Sequence, residues 1–213
     1  MTRLITWQAD NGHGVEGTRL LLNGGGWRAL GRMVRAGTGP ADPPFTASYR
    51  LVAGDDGRVH RLAVTSATAG RERHLTLNRT DDGFWLLDTG SGGRRSDFDG
   101  AVDIDLAFSP MFNTLPIRRL GLHRGPGDHL LTMVFVALPE LTVEVVQQRY
   151  RALSPLGEGE RPAEASVAFA WDAFTAELVV DAEAVVVSYP GVASRIPDVA
   201  SATPDAPKVR PSR

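Results

Sequence analysis

Short runs of alternating apolar and polar residues, broken by Gly, Pro and Asp, dominate this chain. Successive side chains of a strand face opposite ways, so a period of two marks a half-buried sheet. The pattern predicts strands at Thr18–Leu22 and Trp27–Val34, flanking the hairpin signal Asn23-Gly24-Gly25-Gly26. Further strands are expected at Phe45–Ala53, Val59–Ala67, Arg73–Arg79 and Phe84–Asp88, then at Val102–Asp105 and Ile117–Leu120. Between the last two, Pro110, Asn113 and Pro116 predict a backbone turn. The second half continues with Leu130–Leu138, Leu141–Leu153, Val167–Trp171, Ala176–Val180 and Ala184–Tyr189. Within Leu141–Leu153 the period blurs at Gln147-Gln148-Arg149-Tyr150, where a strand bending into a helical turn is one outcome. No segment keeps a sustained helical period. One all-β domain over residues 1–195, an antiparallel roll or sandwich, is expected. Residues 196–213 are Pro-rich and poor in large apolar side chains, and are expected to be unstructured.

Composition narrows the function classes. A net charge of -2 gives no electrostatic reason to expect nucleic acid or an anionic membrane surface as partner. The absence of cysteine removes disulfides, thiolate metal sites and cysteine nucleophiles. The first ten residues lack the apolar core of a secretory signal, and no apolar run approaches the roughly 20 residues that span a bilayer. A cytoplasmic protein is the expectation. Phosphate-loop, dinucleotide and nucleophile-elbow motifs are missing, so no cofactor is expected.

Several pieces in fixed order resemble a known family. Asp103 and Asp105 precede Asn113-Thr114-Leu115-Pro116-Ile117-Arg118-Arg119-Leu120, and this octapeptide is the most specific part. Around it come Trp7 and Glu16, Tyr49, Asp82-Gly83-Phe84-Trp85, Pro139 with Leu141, Gln148 with Tyr150 and Leu153, Val180-Asp181, and Tyr189-Pro190. Together they are similar to the glycolipid-binding protein family of bacteria, over about residues 4–195. The resemblance implies a spiral β-roll, shaped like the half-barrels that carry lipid or lipoprotein acyl chains. Two positions depart from the family pattern: Val59 stands where a Trp is expected, and Ala163-Glu164-Ala165 replaces an aromatic pair.

The candidate ligand residues are Asp103, Asp105, Asn113, Thr114, Arg118 and Arg119. On a strand, Asp103 and Asp105 would share a face about 6.6–6.8 Å apart. That lies within the carboxyl separations of glycosidases, about 5–9.5 Å; pairing with Arg118 or Arg119, or cradling a polar head group, are the competing uses. Adjacent on a strand, Arg118 and Arg119 would point to opposite faces, and the inward one could grip a phosphate or carboxylate bidentately. Asn113 and Thr114 would form the turn or donate to sugar hydroxyls. Leu87-Asp88-Thr89-Gly90-Ser91 copies an aspartic-protease segment, but such an enzyme needs a second carboxylate, here only from a homodimer. His123 and His129 flank one turn, but two ligands make a poor metal site. The expected function is non-enzymatic binding of an amphiphile, lipid or glycolipid, in an apolar groove ending at Arg118 or Arg119. A carboxylate-pair hydrolase using Asp103 and Asp105 and a dimeric protease using Asp88 are the enzymatic alternatives.

Overall fold

A computed structural model describes residues 1–23, 26–39, 41–90, 92–157 and 163–197. The expected tail beyond Pro197, Gly24 and Gly25 of the first hairpin, and Ser91 lie outside these residues. The strands are β1 (Thr2–Ala9), β2 (Gly14–Asn23), β3 (Gly26–Arg35), β4 (Phe45–Ala53), β5 (Val59–Ala67), β6 (Glu72–Arg79), β7 (Trp85–Asp88), β8 (Gly93–Ser96) and β9 (Asp103–Leu106). One helix, α1 (Pro110–Arg119), separates them from β10 (Asp128–Val136), β11 (Val143–Ser154), β12 (Glu164–Trp171), β13 (Phe174–Asp181), β14 (Val186–Tyr189) and β15 (Ala193–Arg195).

All fifteen strands join one sheet that does not close, in the order β8 back to β1, then β15 back to β9. Every pairing is antiparallel except β9 with β10. The fold is thus the expected all-β roll, built as two meanders that meet where β1 pairs with β15, Trp7 opposite Arg195. An ion cluster fastens this seam: Arg3 and Arg195 both reach the Asp181 carboxylate, at 2.8 and 2.6 Å. Burial works to raise the Asp181 pKa, but Arg195 and Arg3 outweigh it and hold the carboxyl below its usual range. The sheet curls until the approach to β9 meets the first meander. There the Val59 amide donates to the Val102 carbonyl at 3.3 Å and the Trp85 indole donates to the Ala101 carbonyl at 2.9 Å.

The helix corrects the expected turn and the expected strand at Ile117–Leu120. Pro110 occupies the first turn, where a missing N–H removes no helical bond, and Ser109 is the N-cap. Residues 110–117 are all buried, so the segment is enclosed all round and lacks the striped period that identifies a surface helix. Met111, Phe112 and Leu115 pack into a core shared with β1–β7, β9 and β10, while Ile117 packs with Leu122, Tyr150, Phe169 and Val180 into a second core. The helix thus packs against both cores. β11 is one continuous strand to Ser154, with no helical turn at residues 147–150; its only irregularity is a register shift near Ala152.

Candidate functional site

All four residues of β9 are buried. Ile104 and Leu106 enter the first core, which leaves Asp103 and Asp105 together on the opposite face, as the spacing predicts. Their environments nevertheless differ. Arg119, in the last turn of α1, grips both oxygens of Asp103: its Nε donates to Oδ1 at 3.2 Å and its Nη2 makes a short contact to Oδ2. Burial raises the Asp103 pKa, and Arg119 opposes the rise. Gly57 presses on the same arginine; a Cβ there would lie 2.9 Å from the Arg119 Cβ, and its φ of +77° already requires glycine.

Asp105 has no cation. Gln148 donates to its Oδ2 at 2.6 Å, the Tyr150 hydroxyl donates to Gln148 Oε1 at 3.0 Å, and Asn113 Nδ2 donates to that hydroxyl at 2.8 Å. Burial pushes the Asp105 pKa up to about 6, only partly countered by Gln148. Asn113 is therefore joined to Asp105 through two other residues rather than exposed at a turn. Thr114 is buried and its hydroxyl has no partner among the described residues.

A third buried acid, Glu16 on β2, is not among the candidate ligand residues. Its Oε1 accepts from Tyr49 at 2.6 Å, Ser109 at 2.7 Å and Thr18 at 3.1 Å, while Oε2 is buried with no partner. Burial raises its pKa to about 7 despite these three donors. The available signal is phase: Glu16, Thr18 and Leu20 share the inward face of β2, so a carboxylate stands in an apolar register. Ser109 gives its hydroxyl to Glu16 instead of capping α1.

Two cavities flank the ends of α1. At the N-terminal end a cavity of about 290 Å³ is lined mostly by Leu106, Phe108, Phe135, Trp171, Phe174 and Tyr189, with Asp105 and Ser109 as its polar members. Phe108 holds a left-handed backbone, φ 66°, and its ring lies 4.0 Å below the Arg35 guanidinium. At the C-terminal end a cavity of about 250 Å³ is lined by Arg118, Arg119, His123 and Arg124 facing Trp27 and the 54–57 turn. Ten helical residues separate them, about 15 Å. The expected continuous groove from apolar interior to Arg118 or Arg119 is thus replaced by two hollows with a buried helix between. Both arginines lie on the helix end, not on opposite strand faces; Arg118 Nη1 donates to the Glu183 carbonyl at 3.1 Å. A wider trough of about 600 Å³ crosses β11–β13, but its Asp128 and Arg149 satisfy each other through two bonds of 2.7 Å.

The other sequence candidates are placed as follows. Asp88 lies exposed at the end of β7 and accepts from the Gly90 amide at 2.7 Å, an arrangement that turns the hairpin. His123 is buried in the turn after α1, and His129 sits on β10 opposite Tyr150. Among the described residues no three His, Asp or Glu side chains are grouped to hold a metal, and no helix is long and apolar enough to cross a membrane.

Comparison with known proteins follows the same outline. A crystal structure of a DUF1089 family protein from Pseudomonas aeruginosa is 26% identical over 86% of this chain and 92% of that one, with a TM-score of 0.68. A beta-barrel-like protein of a domain of unknown function, DUF1849, from Brucella abortus shares only the fold: 10% identity, 90% and 92% coverage, TM-score 0.50. None of the curated proteins matches the chain. The model of the family described as "Putative glycolipid-binding" matches residues 4–195, and the chain belongs to that family.

Proposed function

We propose that this protein is a non-enzymatic binder of a small amphiphile, whose apolar part enters the aromatic cavity at the N-terminal end of α1. The cavity lies near the lower end of the ligand-pocket range, about 300–1,000 Å³, so it suits one chain or ring rather than a multi-chain lipid. Burial against Phe108, Phe135, Trp171 and Phe174 would contribute about 25 cal/mol per Å² of apolar surface. The polar group of the ligand would lie against Asp105 and Ser109. With a pKa near 6, Asp105 accepts from hydroxyls at neutral pH without an arginine competing for it. The family description, glycolipid binding, supports a ligand that carries both an apolar part and hydroxyls.

The observation that carries this reading is Asp105, an uncompensated carboxylate in an aromatic-walled hollow. A catalytic pair is disfavoured because Arg119 already occupies Asp103, its would-be partner. Asp103, Asn113, Thr114 and Arg119 then act on the ligand only through the scaffold. Binding is tested with monomeric octyl glucoside, followed by tryptophan fluorescence. Saturable quenching in the native protein that is lost in Trp171→Phe and weakened about tenfold or more in Phe174→Asp supports the site. Equal binding in the native protein and Phe174→Asp places any amphiphile elsewhere and removes it.

A further inference from the structure

We propose that the cavity at the C-terminal end of α1 is a second, separate binding site, for a small polyol that carries a phosphate or a carboxylate. Three observations converge there. The first is unspent positive charge. Arg119 is committed to Asp103, but Arg118 uses one N–H on the Glu183 carbonyl and keeps the rest of its five-donor fork. Arg124 is exposed and has no ion pair among the described residues. On the opposite wall Asp56 is taken by Arg58, through the Arg58 amide at 2.9 Å and its Nε at 3.6 Å. Two guanidiniums therefore face one open carboxylate, Asp55, and the surplus favours an anion.

The second observation is a set of buried polar groups short of partners. Trp27 is 5% exposed and His123 2% exposed, both line the cavity, and among the described residues the indole N–H has no hydrogen-bond partner and the imidazole has at most a backbone contact from Ile117. Burial lowers the His123 pKa, and the contact from the Ile117 backbone opposes that shift. Buried polar groups in native folds are nearly always paired. The contrast within the chain is direct: the indoles of Trp7 and Trp85 donate to backbone carbonyls at 2.8 and 2.9 Å. The Trp27 and His123 nitrogens are sealed from water, so ligand oxygens would satisfy them as the wall opens around the guest.

The third is the mixture of wall chemistry. A bare anion site needs donors only. Here Asp55 also offers an acceptor, and Leu22 and Trp27 supply apolar surface, the combination that suits hydroxyls and the C–H face of a sugar. With a filled helix between the cavities, this site stands or falls independently of the amphiphile site.

The test uses the intact chain labelled with nitrogen-15, reading its four indole N–H signals, with Trp27 assigned through Trp27→Phe. Glucose 6-phosphate and glucuronate should move the Trp27 signal saturably and leave the Trp7 and Trp85 signals in place. Glucose and inorganic phosphate should each bind at least about tenfold more weakly than glucose 6-phosphate. Arg118→Gln with Arg124→Gln should weaken glucose 6-phosphate at least about tenfold while the rest of the spectrum stays folded. The proposal is overturned if the Trp27 signal ignores all four compounds. It is equally overturned if the double variant binds as before, or if inorganic phosphate matches glucose 6-phosphate.

Discussion

The two ends of α1 hold buried charge in opposite ways. At the C-terminal end Asp103 meets a guanidinium; at the N-terminal end Glu16 and Asp105 meet only neutral donors. Desolvation acts on all three carboxyls, yet only one has a counter-charge to offset it. An acid left to neutral donors becomes a group that carries a proton near neutral pH. An acid given a fork becomes a strut. The difference teaches that the cation on α1, rather than the spacing of the two aspartates on β9, decides which can face a ligand.

Removing the strut should have the largest effect. Arg119→Ala leaves Asp103, 1% exposed, without its partner, and breaking a buried pair from one side costs about 3–5 kcal/mol. Urea unfolding of this variant at pH 7 should show that loss. A loss below about 1 kcal/mol would mean the pair contributes little and the two ends are alike.

The unpaired acids should leave a pH signature. Their folded pKa values, about 7 for Glu16 and about 6 for Asp105, lie above the ordinary carboxyl range. The folded state therefore holds protons that the unfolded chain has released. From these groups stability is highest below about pH 4 and is lost as pH rises through about 6 to 7. For Glu16, a rise from 4.5 to about 7 corresponds to about 3 kcal/mol. Glu16→Gln should therefore show a smaller decline in unfolding free energy between pH 4.5 and 7.5 than the native protein. An unchanged decline would remove Glu16 as its source.

The smallest effect should come from a pair in neither category. Asp82 and Arg95 meet at 2.6 Å near the β8 edge, with both side chains more than half exposed. Water already solvates them, so Asp82→Asn should leave the thermal midpoint where it is. A clear drop would mean that exposed pairs also fasten this sheet.

The strands were readable where one face is wet. β4 and β5 begin and end where the alternation of Phe45–Ala53 and Val59–Ala67 predicts, because buried residues there alternate with outward ones that are mostly polar. The helix was hidden for the opposite reason: wrapped on every side, Met111 to Ile117 has no polar face to set a period. Its turn-forming residues misled as well, since Pro110 suits a first helical turn as readily as a corner. Ser109-Pro110 followed by Arg118 and Arg119 in the last turn, with Gly121 beyond, was the available helix signal. The Asp103–Arg119 pair was among the uses open in the sequence. The Glu16 cluster was not, because it joins β2, β4 and the start of α1, residues up to 93 apart in the chain.

The helix inside the roll behaves as a stopper moulded to its vessel. With eight successive residues sealed against the walls, the two proposed sites are kept apart at its rims, and the room between them is set by the length of the plug. Each turn trimmed from α1 would free about 5.4 Å of bore. Relatives with a shorter plug should therefore accept longer guests on the same fifteen-strand wall.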